Sequence, residues 1–168
     1  MKYLGWFFLC FIWAGAFGQT EFKKNSTALN LEFLQGFTKP QSFTALYLAD
    51  LRLSYQYTVV PGTLRLGATA AGTYNNDIVS AFAGPNLALK VYTMNSPMGS
   101  LGNIHLLLEH LWGTDSQKLV GGGVRAAIGN TLLVSLLTHR DYDSKVWSFR
   151  FGLGMNFIHE KLAPANPD

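Results

Sequence analysis

Val146-Trp-Ser-Phe-Arg-Phe-Gly-Leu-Gly-Met-Asn-Phe157 reads two ways at once, depending on which alternate residues are followed. The odd positions Trp147, Phe149, Phe151, Leu153, Met155 and Phe157 are all apolar. The even positions are Val146, Ser148, Arg150, Gly152, Gly154 and Asn156. A period of two puts one set on each face of an extended strand, whereas helical spacing would scatter the aromatics around the axis. Such a strand turns its apolar face either to a protein core or to lipid. The rest of the chain decides between them.

The same alternation recurs upstream. Leu29 to Phe37 sets Leu29, Leu31, Phe33 and Phe37 against Asn30, Glu32, Leu34 and Gly36. Phe43 to Thr58 sets Phe43, Tyr47, Leu51, Leu53, Tyr55 and Tyr57 against Asp50, Arg52, Ser54 and Gln56. That run is far longer than the about five or six residues of an ordinary soluble strand. Leu64 to Tyr74, Asn86 to Met94, Leu119 to Ile128 and Thr131 to His139 continue the series. Asn103 to Trp112 alternates less cleanly and is also compatible with a helix. Val59-Val-Pro-Gly-Thr63 and Gly129-Asn130 are tight-turn signals. The joins after the first, third, fifth and seventh segments are more polar and generally longer. Residues 75–86 and 95–102 read as longer connections. The expected architecture is an eight-stranded antiparallel up-and-down barrel over residues 29–158, with short turns at one end and exposed loops at the other.

The N-terminus belongs to export rather than to the fold. Lys2 is followed by an almost unbroken apolar run from Leu4 to Phe17, and Ala16-Phe-Gly18 supplies the small residues of a cleavage site before Gln19. A membrane-anchoring helix is the competing reading, but the run is shorter than the ~20 residues a span needs. Residues 1–18 are thus expected to be a signal peptide, 19–28 a leader and 159–168 a tail. The single Cys lies in the signal segment, so disulfide and thiol chemistry are not expected in the mature chain. The net charge of +3, dispersed along the chain, does not suit nucleic-acid binding.

Charges sort by face. Glu32, Arg52, Arg65, Lys90, Glu109, Arg125 and Arg150 all oppose the apolar set of their strand. A soluble sandwich with its charges in water would show the same sorting. A lipid-facing barrel is favoured by the low charged content of 14%, by the small residues on the polar faces, and by aromatics near strand ends. Those aromatics are Tyr55, Tyr57, Tyr74, Trp112, Trp147 and Phe157, an expected interfacial girdle. In the narrow lumen of eight strands the charges must pair. Glu109 is expected to take Arg125 or Lys90 from its flanking strands, and Glu32 to take Arg52 or Arg150.

These features together resemble the small outer-membrane β-barrel proteins of Gram-negative bacteria, the OmpA/OmpX/OmpW-like class. The likeness covers residues 29 to 157 and rests on the strand pattern and the terminal aromatic strand ending at Phe157. The resemblance implies residence in the outer membrane, lipid as the surrounding partner, and contacts with other outer-membrane or periplasmic proteins. Members of the class usually end on that aromatic, whereas here Ile158 to Asp168 follow it.

Chemistry-bearing motifs are sparse. His105-Leu-Leu-Leu-Glu-His110 meets neither zinc-protease spacing, and on a strand His110 points away from His105 and Glu109. Gly121-Gly-Gly-Val-Arg-Ala126 lacks the helix that a dinucleotide fingerprint requires. Ser135 and His139 share a face but lie roughly 13 Å apart along a strand. His139 with Asp141 and Ser144 is the remaining hydrolase candidate, without the His-x-Ser pattern that lipid A deacylases imply. No cofactor or metal is expected. Four functions stand: a non-enzymatic barrel acting as a structural or interaction component, a narrow anion-preferring channel, a lipid A-acting acyl hydrolase using His139, and a soluble barrel binding an apolar ligand.

Overall fold

Each alternating segment forms a strand because its two faces meet different surroundings. The computed structural model describes residues 26–39, 46–75, 77–97, 99–129 and 131–160. The strands are β1 (Ser26–Lys39), β2 (Leu46–Val60), β3 (Leu64–Asn75), β4 (Ile78–Ser96), β5 (Gly99–Gly113), β6 (Lys118–Ile128), β7 (Leu132–Asp141) and β8 (Trp147–Glu160). They form one closed antiparallel barrel in sequence order. β8 closes on β1 from Ser26 opposite Glu160 to Lys39 opposite Trp147, so the sheet has no edge. The ambiguous run 103–112 lies within β5 and is not helical.

The barrel is longer than the expected 29–158, since β1 begins at Ser26, inside the expected leader, and β8 runs to Glu160. The signal segment 1–18 and residues 161–168 of the tail lie outside the described residues.

The main departure concerns β4. Its 19 residues absorb the stretch that reads as a connection, leaving only residues 76 and 77 between β3 and β4. Gly84-Pro85 gives that stretch its loop character. Pro85 has no N–H to donate, and the β4–β5 register passes from Ala83–Trp112 to Asn86–Glu109 without pairing Gly84 or Pro85. On the other side Pro85 stands opposite Ala68 of β3, and the strand continues. Residues 95–102 shorten in the same way, to a turn between Ser96 and Gly99. The β3–β4 join is thereby as short as any, but the joins after β5 and β7, residues 114–117 and 142–146, stay longer than those after β2, β4 and β6, residues 61–63, 97–98 and 129–131, so the expected contrast is reduced rather than lost.

At Val60-Pro61-Gly62-Thr63 the Thr63 amide donates to the Val60 carbonyl at 3.1 Å and Gly62 has φ +76°. Pro at the second position and a left-handed Gly at the third are what a type II turn requires.

Alternation in burial follows alternation in sequence. Phe33, Leu51, Leu53, Leu108, Leu136, Phe151 and Leu153 are 46–60% exposed on the outside, while their neighbours Leu34, Arg52, Ser54, Leu107, Leu137 and Arg150 are buried inside. The outer band carries no Asp, Glu, Lys or Arg among its described side chains, from below Lys118 and Arg140 at one end to Phe157 at the other. The six aromatics named above all face outward, 44–55% exposed. Tyr74, Trp112 and Trp147 stand near the end of the β3–β4, β5–β6 and β7–β8 joins. Tyr55, Tyr57 and Phe157 stand near the end that bears Ser26 and Glu160, with Leu29 opposite both Tyr55 and Phe157. An apolar band between two aromatic rows is the surface of a transmembrane barrel.

Candidate functional site

The lumen is packed with side chains. Leu34, Ala88, Leu107 and Leu137 form one buried cluster, and Ala71, Phe82, Leu111 and Leu119 another. Room for them comes from inward-facing small residues. A Cβ on Gly154 would come within 2.6 Å of Glu32 Cγ, so the bare backbone of β8 is what lets the Glu32 side chain leave β1 and cross the lumen.

Charges bridge these apolar layers. The Arg52 guanidinium (β2) is hydrogen-bonded to the Glu109 carboxylate (β5), and Arg125 (β6) to Glu32 (β1), each partner at most 5% exposed. A second bond runs from Arg125 Nε to Glu32 Oε1 at 3.2 Å, and the Ser135 hydroxyl donates to the same oxygen. Glu109 also accepts from Thr69 Oγ1 at 3.1 Å and meets His139 Nε2 at 3.0 Å. On the far side of that imidazole, Nδ1 lies 2.7 Å from Arg150 Nη1. A guanidinium only donates, so Nδ1 accepts, and Nε2 carries the proton given to Glu109. Arg150 in turn lies 2.6 Å from Asp50 Oδ2. One continuous chain thus runs Arg52–Glu109–His139–Arg150–Asp50 across β2, β5, β7 and β8. Such groups tolerate burial only because each charge has a partner of opposite sign.

The pairing differs from the one the sequence suggests, and register explains it. Lys90 and Arg125 both stand opposite His105, four residues before Glu109, which is roughly 13 Å along a strand. Glu109 therefore reaches across the lumen to Arg52 rather than sideways. Arg52 is directly opposite Glu32 in register, yet its head goes to Glu109, leaving Glu32 to Arg125. Arg150 takes Asp50 instead of Glu32.

Arg65 is buried nearer the end that bears Ser26 and Glu160 and donates through Nε to Thr58 Oγ1 at 3.2 Å, with Ser26 bonded to the same hydroxyl at 2.8 Å. Lys90 is half-buried. Asn30, Gln56, Asn86 and Thr69 form an amide ladder joined by bonds of 2.7–3.4 Å. Among the described side chains, three buried carboxylates, Glu32, Asp50 and Glu109, face four buried guanidiniums, Arg52, Arg65, Arg125 and Arg150.

Two members escape the sequence-level account of the network. Asp50 sits two residues from Arg52 on the same face, so alternation alone marks it as inward. His139 follows Leu133, Ser135 and Leu137 on the inward face of β7. Its role as a hydrogen-bonded link follows from register: Glu109 and His139 both stand opposite Gly121, which has no side chain to separate them, and Arg150 is on the adjacent strand β8.

The hydrolase set does not assemble. Both His139 ring nitrogens are engaged in the lumen, with Glu109 and Arg150. The Ser144 hydroxyl instead donates to Asp141 at 2.7 Å in the exposed β7–β8 turn, where Asp141 also accepts the Asp143 amide at 3.0 Å. A cavity of about 240 Å³ opens at that end, lined by residues including Thr73, Phe82, Leu119, Asp141 and Ser144, with Arg150 also among them. His105 and Glu109 face the lumen, and His110 faces outward with its ring 4.7 Å from that of Trp112. The Gly121–Gly123 run lies in the middle of β6, with no helix after it.

No protein-family model matches the chain, and no curated protein matches it. Solved structures do. A de novo designed transmembrane β-barrel aligns with a TM-score of 0.52 at 16% identity, over 82% of this chain and 100% of that one. The attachment invasion locus protein Ail of Yersinia pestis aligns with a TM-score of 0.47 at 11% identity, over 80% of this chain and 99% of that one. The same protein in complex with the heparin analogue sucrose octasulfate aligns with a TM-score of 0.47 at 14% identity, over 80% and 99%. The likeness to the designed barrel concerns fold: an eight-stranded, closed antiparallel barrel of the transmembrane kind.

Proposed function

We propose that the protein is a resident barrel of the Gram-negative outer membrane whose lumen is closed, and that it serves as a structural or interaction component rather than as a channel or an enzyme. The observation that carries this reading is the ion-pair chain from Arg52 to Asp50, which spans the lumen between leucine clusters. An eight-stranded barrel is only wide enough for side chains to fill it, and here charged and apolar groups share that space. The apolar outer band supports lipid as the surrounding medium.

The competing channel reading draws on the surplus of cations among the described lumen side chains. Planar-bilayer recording separates the two. The purified protein is expected to insert and give no unitary conductance steps in concentrated KCl. Reproducible steps with anion preference would replace the closed-barrel reading with the channel.

A further inference from the structure

Among the described side chains of the barrel wall, outward-facing cations are confined to one end. At the end that bears Ser26 and Glu160 the described outer wall ends on Tyr57, Tyr92, Phe157 and His159, while Arg65 and Lys90 turn inward. At the opposite end the outer wall carries Lys118 and Arg140, both exposed, between Trp112 and Trp147. Register makes them neighbours. Trp112 stands opposite Lys118, and His110 opposite Val120, which is opposite Arg140. Arg140 stands opposite Trp147, and Trp147 opposite Lys39. Lys118 is two residues from Val120 along β6 and one strand from Arg140. Strand spacing and rise put the two backbone positions roughly 8 Å apart, within reach of one tetrahedral anion for two long side chains. The Arg140 guanidinium lies 5.8 Å from the centre of the Trp147 ring, which holds it along the wall at the upper rim of the apolar band. Among the described acids beside the row, Asp141 faces the cavity and is engaged with Ser144 and the Asp143 amide rather than with Lys118 or Arg140. Asp143 is exposed in the turn beyond.

We propose that Lys118 and Arg140, flanked by Trp112 and Trp147, form a binding site for the anionic phosphate headgroup of a membrane lipid whose acyl chains lie on the apolar band below. The proposal rests on the membrane-barrel reading above. Lipid, rather than free phosphate, is the occupant because the cationic row is continuous with the apolar wall: a headgroup on the row leaves its chains against Leu108, Val124 and Leu136, all exposed. Tryptophans at such a boundary place their ring edges among headgroups.

The test is native mass spectrometry of the detergent-purified full chain, offered equal amounts of phosphatidylglycerol and phosphatidylcholine with the same acyl chains. The anionic lipid is expected to be retained preferentially. That preference should fall about fivefold for each charge removed in Lys118→Gln and Arg140→Gln, the worth of one basic side chain at an anionic surface. His159→Gln, outward at the other end, should leave it unchanged. Equal retention of both lipids, an unaffected Lys118→Gln/Arg140→Gln double variant, or complete displacement by millimolar inorganic phosphate would overturn the site. Heat-modifiable gel mobility confirms in each variant that the barrel is folded. Recovery of the wild-type protein as a soluble species free of detergent and lipid would instead sink the membrane reading itself.

Discussion

Glu109→Ala is expected to destabilise the barrel by about 3–5 kcal/mol, the cost of leaving a buried charge without its partner. Glu109 is the hub of the lumen. It holds the Arg52 guanidinium, the His139 Nε2 proton and the Thr69 hydroxyl. Removing it leaves Arg52, 1% exposed, without its carboxylate, and the nearest remaining acids serve Arg125 and Arg150. The Arg52→Leu/Glu109→Leu double variant should recover most of that loss, since both charges go and two apolar side chains join the leucines already inside. Urea unfolding of the protein in lipid vesicles, followed by tryptophan fluorescence, measures both. A loss below about 1 kcal/mol for the single variant is what an exposed pair would give, and would contradict a dry, closed lumen.

Leu136→Arg is the second large effect, and it distinguishes lipid from water around the barrel. Leu136 is 60% exposed, in the middle of β7, between Val124 of β6 and Phe151 of β8. In a soluble protein a charge at so open a surface site changes stability by about half a kcal/mol or less. Facing the middle of a bilayer it costs about 2–4 kcal/mol. The same unfolding assay reads the difference, and an unperturbed Leu136→Arg protein would argue for a water-surrounded barrel. The contrast with its neighbour is instructive: Leu137 is 1% exposed and belongs to the lumen cluster, so one step along the chain changes the medium.

Much of this architecture is legible in the residues because a strand has a period of two. That period sorts Trp147 to Phe157 from Ser148 to Asn156 and puts Arg52, Glu109 and Arg150 on one side of their strands. Pairing of the last strand with the first follows from closing the barrel, which leaves no edge. Boundaries are less legible where turn-forming residues sit inside a strand. Asn75-Asn-Asp77 reads as the start of a longer connection, yet β4 begins at Ile78 and accommodates Pro85 where the β4–β5 ladder lapses. Pairing of the lumen charges is illegible for a different reason. Alternation gives the face but not the height, and height depends on the stagger of the strands around the barrel. Sequence adjacency of strands therefore points Glu109 to Lys90 or Arg125, whereas register sets both opposite His105 and leaves Arg52, three strands away, as the partner. The same ignorance of height makes His139 look like a free base beside Ser144, when its ring lies between Glu109 and Arg150.

The stretch from Trp147 to Phe157 also offers the most direct test of the barrel in lipid. With a nitroxide placed at each position in turn and the protein in bilayers, collision rates with dissolved oxygen and with a water-soluble nickel chelate report which medium each side chain meets. Trp147, Phe149, Phe151, Leu153, Met155 and Phe157 should be oxygen-accessible, most of all at Phe151 and Leu153, and shielded from the chelate. Gly152 and Asn156 should be shielded from both, whereas Ser148 and Arg150 line the end cavity and should be shielded from oxygen relative to their odd neighbours. A strip of odd positions open to the chelate, or a profile without the period of two, would contradict a lipid-facing barrel with a closed lumen.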